Sequence, residues 1–200
     1  LDSLFILLQS TKCLVALRGY SAPPVGAFGE NSLRLAQYVG NHEAAFEAQY
    51  CLWRFLIARG CIDDSADIGR KLLQMAISPR NVPLMLAAYR ALATTQFWRG
   101  EISECEQHAL NGATLIGEVK GRIPSWLGDN PGHICRINQS LCCILRGKTK
   151  ESLSLVQSVL NDARDYGDPH NLGIVFFLSG YVIDLTGDLA AAHRHAEELV

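Results

Sequence analysis

Five glycines at nearly regular intervals constrain the fold of this chain more than any other feature. They are Gly19, Gly60, Gly100, Gly147 and Gly187, and the intervals between them are 41, 40, 47 and 40 residues. Each glycine follows an apolar stretch and precedes a more charged one. Self-similarity at a period of about 20–50 residues is typical of stacked repeat proteins. The spacing therefore predicts about four and a half similar units.

The spacing of apolar residues within each unit predicts helices. Leu153, Val156 and Leu160 recur at intervals of three and four, whereas the alternation of a strand is absent. Proline is missing from 25–78, 84–123 and 132–168, which leaves room for long helices. We expect an all-α chain in which each glycine joins a buried first helix to a charged second helix that faces water.

Small residues recur at fixed distances from these glycines. Five residues after the last four glycines stand Ser65, Cys105, Ser152 and Ala192, all of them small. Seven residues before them stand Trp53, Ala93, Ser140 and Gly180, of which three are small. Small side chains allow two helices to approach closely, so these columns predict the contacts between paired helices.

Composition and charge exclude several functional classes. The chain is 48% hydrophobic and 19% charged, which excludes intrinsic disorder. A net charge of −2 gives no basic surplus for nucleic acid or for an acidic membrane surface. The longest apolar stretch, 173–183, is shorter than the roughly 18 residues of a membrane span.

The cysteines and the first residues suggest a cytoplasmic fragment. Seven cysteines, an odd number without CxxC spacing, predict free thiols in a reducing compartment. The chain begins with Leu1 and has no signal-peptide pattern, which is expected of a piece of a longer protein. We predict one repeat domain over 1–200 with an irregular insertion at 117–130, where the interval of 47 places about seven extra residues.

The glycine turn with its small columns resembles the tetratricopeptide (TPR) repeat, with a period of about 40 instead of about 34 residues. Five segments are more specific: Arg18–Val25, Leu52–Gly60, Ala91–Gly100, Asn130–Gly132 and Ile144–Gly147. Together they resemble the C-terminal TPR-like region of bacterial multidomain regulators that carry an AAA/NACHT-type ATPase. In that family a class III cyclase, a winged-helix domain or a protein kinase precedes the ATPase. Asp129-Asn-Pro-Gly132 departs from the family's usual Asp-Pro-Gly.

The resemblance implies a regulatory protein-interaction module that catalyses nothing and needs no cofactor. No GxxxxGK[ST] loop is present. Two alternatives stay open: a helical domain that senses a small-molecule effector, and a free-standing scaffold that binds a peptide in its groove. An open groove between first helices would favour the peptide, and a deep closed pocket would favour the small molecule.

The expected contact residues lie on first helices, which line the concave face of a TPR stack. They are Tyr50, Arg54, Arg90, Thr94, Phe177 and Tyr181. Aromatic residues and arginine are common binding hot spots. Phe177 and Tyr181 could instead only fill the seam between helices, and the two arginines must find a carboxylate or reach solvent.

The insertion offers a second set of candidate contacts, Trp126 and Arg122. A large aromatic residue in such a segment either folds back on the stack, with Ile123 and Leu127 beside it, or contacts a partner.

No metal site or catalytic site is expected. Cys142 and Cys143 are adjacent on a helix and point about 100° apart, so we expect them to be buried small residues. His193 and His195 are two apart, a spacing that does not align two metal ligands on a helix. Their neighbours Arg194 and Glu197 indicate a solvated face.

Overall fold

The computed structural model describes residues 2–78, 80–119 and 123–198. These residues contain ten α-helices, and no β-strand occurs among them. The helices are α1 (Asp2–Arg18), α2 (Pro23–Tyr38), α3 (His42–Ala58), α4 (Ile62–Ile77), α5 (Val82–Arg99), α6 (Ile102–Leu115), α7 (Pro131–Leu145), α8 (Thr149–Tyr166), α9 (Pro169–Asp184) and α10 (Leu189–Glu197). Helix makes up 84% of the structure. The all-α prediction is confirmed.

The periodic glycines join the helices in pairs, α1 with α2 through to α9 with α10. All five have a positive φ, between 74° and 84°. An L-residue with a Cβ is strained in this left-handed conformation, which is why glycine ends the first helix of each pair. The described ranges hold five helix pairs, so the expected four and a half units understated the number.

Local sequence also sets where the first helices begin. Asn41 and Asn81 precede α3 and α5, and Asp168 precedes α9. The side chain of each accepts a hydrogen bond from a backbone N–H in the first turn. This satisfies a donor that the helix itself leaves free.

The predicted small columns mark close contacts between paired helices. Ser65, Cys105 and Ser152 are fully buried. The hydroxyl of Ser152 donates to the carbonyl oxygen of Ser140 at 2.8 Å, which joins α8 to α7 where the two columns meet. A longer side chain at these positions has no room.

We therefore expect Cys105→Leu to lower the free energy of unfolding by roughly 1–3 kcal/mol, the usual cost of overpacking a well-filled core. The Cys105 sulfur is buried on α6, 3.4 Å from the Cys142 sulfur on α7. Urea unfolding of the variant would measure the loss. Cys13→Leu, at an exposed position on α1, is the matched control. Equal stabilities of the two variants would show that the repeat register is wrong.

The first helices α3, α5 and α7 are largely buried, as predicted, but α1 and α9 are not. Phe177 on α9 is 70% exposed and Tyr181 is 38% exposed. Their face of α9 is not covered by another helix pair among the described residues. A lack of charged residues on α9 was therefore not evidence of complete burial.

The expectation for His195 was wrong. It is buried on α10, where its Nε2 lies 2.8 Å from the carbonyl oxygen of Phe176 and its ring stacks on the Phe176 ring. The reason is that α10 packs against α9 along this face. Cys142 and Cys143 are buried, as expected. Of the helices described, none has both the length and the apolar character to cross a membrane.

Candidate functional site

Four of the odd-numbered helices contact one another along the stack, α3 with α5, α5 with α7 and α7 with α9. We call them the inner layer. Residues 123–130, which belong to the predicted insertion, lie against this layer. Leu127 is fully buried in the hydrophobic cluster of α3, α4 and α5, and Ile123 packs against the same cluster. The segment thus closes over the predicted contact residues of α3 and α5.

Trp126 folds back onto α3. Its ring centroid lies 6.0 Å from that of Phe46 and 6.1 Å from that of Tyr50, the latter in an edge-to-face arrangement. Such aromatic contacts add to the stabilisation from burial. Trp126 is nevertheless only half-buried and lines a cavity, so packing and ligand contact are compatible for this residue. Arg122 lies outside the described residues.

A buried ion cluster joins the segment to the inner layer. Arg54 Nη2 on α3 lies 2.9 Å from Asp129 Oδ1, and Arg90 Nη2 on α5 lies 2.9 Å from Asp129 Oδ2. The side chains are 8%, 11% and 1% exposed for Arg54, Arg90 and Asp129. One carboxylate therefore serves two guanidinium groups. Both buried arginines are therefore paired with a carboxylate.

Hydrogen bonds and aromatic rings surround the two guanidinium groups. Arg54 also donates to the hydroxyl of Tyr20 and to the carbonyl of Leu127, and Arg90 donates to the Tyr50 hydroxyl at 3.0 Å. Arg54 lies over the Tyr20 and Tyr50 rings at 5.1 Å, and such contacts offset part of the cost of burying the charge. The cluster still carries one positive charge in excess.

Burial would by itself lower the pKa of Arg54, but Asp129 and the oxygens of Tyr50 and Tyr20 raise it above its ordinary value. Burial raises the pKa of Tyr50, which keeps its hydroxyl protonated. Arg54 therefore keeps its positive charge and Tyr50 keeps its hydroxyl proton in this cluster.

A cavity of about 410 Å³ adjoins this cluster. Its walls come from α1, α2 and α3, from residues 125–128 and from the start of α9. Most of the wall is apolar, with Leu8, Val15 and Ala48 among the lining residues, and Arg54 and Tyr20 form a polar end. Elsewhere on the wall Lys12 Nζ lies 2.8 Å from Glu47 Oε1, so these two charges offset each other.

The structure places the six predicted contact residues at three separate positions. Tyr50, Arg54 and Arg90 meet at the ion cluster beneath residues 123–130. Thr94 is half-buried and accepts a hydrogen bond from Asn138 at 3.1 Å. Phe177 and Tyr181 lie apart from both, on the exposed face of α9.

Phe177 and Tyr181 belong to an exposed aromatic patch, which Trp98 of α5 completes. Trp98 is 57% exposed and stacks on Tyr181 with the ring centroids 6.3 Å apart. The Phe97 ring contacts the Trp98 ring edge to face, with the ring centroids 5.4 Å apart. A groove of about 390 Å³ passes these three rings and reaches Ala192 on α10.

Sequence reasoning missed three functional candidates: Asp129, Tyr20 and Trp98. Part of the signal for Asp129 was present, because an arginine on an apolar helix must either pair with a carboxylate or reach solvent. Neither Tyr20 nor Trp98 could be found this way, since each contact depends on how distant helices stack.

Residues next to Asp129 fix the exit of the segment into α7. The backbone N–H of Asn130 donates to the Asn171 side chain at 2.8 Å, and Asn171 in turn lies 3.0 Å from His133 Nδ1. Burial lowers the pKa of His133, which favours its neutral form in this network. The side chain of Asp129 is thus held by the two arginines, and the backbone directly after it is held by Asn171.

Comparison with solved structures identifies the architecture. A crystal structure of a kinesin light chain-like protein from Podosopora anserina superposes with a TM-score of 0.63, covering 98% of this chain and 93% of that one at 12% identity. A crystal structure of a variant of that protein gives a TM-score of 0.65 at 12% identity, covering 98% and 92%. Both contain nearly identical TPR-like repeats. The fold is a TPR-like α-solenoid. No protein-family model matches the sequence, and no curated protein matches it significantly.

Proposed function

We propose that this chain is a non-catalytic protein-binding module that holds its partner at the aromatic patch formed by Trp98, Phe177 and Tyr181. The observation that carries the proposal is the exposure of these large rings, 70% for Phe177, beside a groove. Stacked helical repeats commonly use the surface along the stack for binding. The patch accepts a partner segment that places an apolar side chain between the rings.

The chemistry of the patch favours a protein over other ligands. Aromatic side chains are enriched at protein interfaces and carry much of the binding energy there. Asp184 is the sole charged residue lining the groove among the described residues, so the groove lacks the basic groups that nucleic acid requires.

The wider context of the proposal comes from the sequence motifs. The five segments from Arg18 to Gly147 support a place in a bacterial signalling or transcriptional regulator with an AAA/NACHT-type ATPase, working in the cytoplasm without a cofactor. Residues 1–200 would then act as one repeat domain, with residues 117–130 as its insertion. A P-loop encoded in the same reading frame would support this context, and a reading frame without an ATPase would contradict it.

The binding role can be tested with peptides selected from a random display library on the immobilised chain. We expect Phe177→Ala and Tyr181→Ala each to lower the affinity for the selected peptides by about tenfold or more, as truncation of a hot-spot residue does. The stability of Phe177→Ala should change by less than about 0.5 kcal/mol, because Phe177 is 70% exposed. Titration calorimetry and urea unfolding measure the two effects.

Tyr38→Ala is the matched control, since Tyr38 is an aromatic residue 88% exposed on α2, away from the patch. It should leave peptide affinity unchanged. Recovery of no binding peptide, or equal affinities for Phe177→Ala and Tyr38→Ala, would contradict the proposal.

A further inference from the structure

The cavity beside Arg54 has the dimensions and the wall of a small-molecule site. Its volume of about 410 Å³ lies within the range of about 300–1,000 Å³ that such sites occupy. Most of the wall area is apolar, and Lys12, Glu47 and Arg54 supply its charged groups, with Tyr20 beside Arg54. The cavity is separate from the aromatic patch and shares no lining residue with it.

The end of the cavity at Arg54 carries the unbalanced charge. Arg54 and Arg90 share the single carboxylate of Asp129, whereas the Lys12–Glu47 pair on the wall is balanced. The Arg54 side chain is more than nine-tenths buried, and its Nε is buried without a hydrogen-bond partner. A buried cation whose charge is only partly balanced is stabilised by an anion that enters the cavity.

We infer that the cavity binds a small molecule in which an apolar body is joined to one carboxylate. The carboxylate lies at Arg54 and Tyr20, and the apolar body lies along Leu8, Val15, Ala48 and Trp126. A monoanion matches the single excess charge, whereas a phosphate dianion would leave a negative charge uncompensated in an apolar wall. Trp126 thereby acquires a binding role in addition to its packing role.

Residues 125–128 link this site to the rest of the fold. They form part of the cavity wall, and Asp129 directly after them bridges α3 and α5. A bound carboxylate at Arg54 stabilises the conformation in which the segment closes over the inner layer. The ligand therefore stabilises the folded chain, as any ligand specific to the folded state does.

Octanoate is a suitable probe, with octanol and octylamine as ligands of equal chain length. Because Arg54 also pairs with Asp129, replacing it would disturb folding, so the charge is varied on the ligand instead. We expect octanoate to bind and to raise the melting temperature, octanol to bind about tenfold more weakly or worse, and octylamine not to bind. Titration calorimetry gives the affinities.

Two variants locate the site. Ala16 lines the cavity at an exposed position of α1, so Ala16→Phe should fill the cavity and abolish octanoate binding without unfolding the chain. Ala27 is an exposed alanine on the paired helix α2 that does not line the cavity, so Ala27→Phe should bind octanoate as the wild type does.

Absence of octanoate binding would overturn the inference, as would equal affinities for octanoate and octanol. Unchanged binding by Ala16→Phe would place octanoate elsewhere and overturn it too. A negative octanoate experiment would not affect peptide binding at Phe177 and Tyr181. A negative peptide experiment would likewise not affect octanoate binding, so the two proposals can be rejected independently.

Discussion

Asp129→Ala is expected to lower the free energy of unfolding by about 3–5 kcal/mol, the cost of removing one partner from a buried ion pair. The substitution leaves Arg54 and Arg90 charged and buried with no carboxylate between them. Neither arginine can lose its proton in a protein, so the charges cannot be relieved by neutralisation. Urea unfolding followed by far-UV circular dichroism measures the loss.

An exposed ion pair provides the control for this effect. Asp67 pairs with Arg70 on α4, and both side chains are more than half exposed. Asp67→Ala should therefore cost no more than about 1 kcal/mol. If Asp129→Ala cost as little as Asp67→Ala, the buried cluster would not hold the segment to the inner layer.

A second variant separates the charge from the packing. Asp129→Asn keeps the size and an acceptor oxygen but removes the negative charge. It should destabilise the chain nearly as much as Asp129→Ala, because the unpaired guanidinium groups remain. A stability close to that of the wild type would show that hydrogen bonding, and not charge, holds the two arginines.

The repeat architecture could be predicted because its signals are local. A glycine with positive φ at each turn, asparagine or aspartate at the helix starts, and small residues at the contacts each act over a few residues. Local signals of this kind agree with one another in a repeat protein, since each unit mainly contacts its neighbours. This is why the helix pairs and their turns followed from the sequence.

The site could be predicted from the sequence only in part, because its decisive contacts join residues that are distant in the sequence. Asp129 and Arg54 are separated by 75 positions, and the Asp129 segment carries no helical period from which its placement could be inferred. The sequence showed that each arginine must pair with a carboxylate or reach solvent, but it did not identify Asp129 as the partner. Helix α9 shows a different error, since it was expected to be largely buried. An apolar helix can remain exposed where no further helix covers it, as Phe177 shows.

Leu127→Ala should lower the free energy of unfolding by about 2–5 kcal/mol, the usual range for truncating a buried leucine. Leu127 is fully buried among residues of α3, α4 and α5, and it is two residues from Asp129. The cavity left by the substitution would also loosen the 123–130 segment, because Ile123 and Trp126 pack beside it. Amide hydrogen exchange should accordingly rise most in this segment.

Leu110→Ala on α6 is the matched control, since Leu110 is 45% exposed and its loss should cost much less. Trp126→Ala separates packing from binding within the same segment. If Trp126 also contacts the ligand, its replacement should weaken octanoate binding by more than Leu127→Ala does, even though the half-buried tryptophan contributes less to stability. The opposite order of the two binding losses would leave Trp126 as a packing residue, with the apolar body of the ligand held by Leu8, Val15 and Ala48.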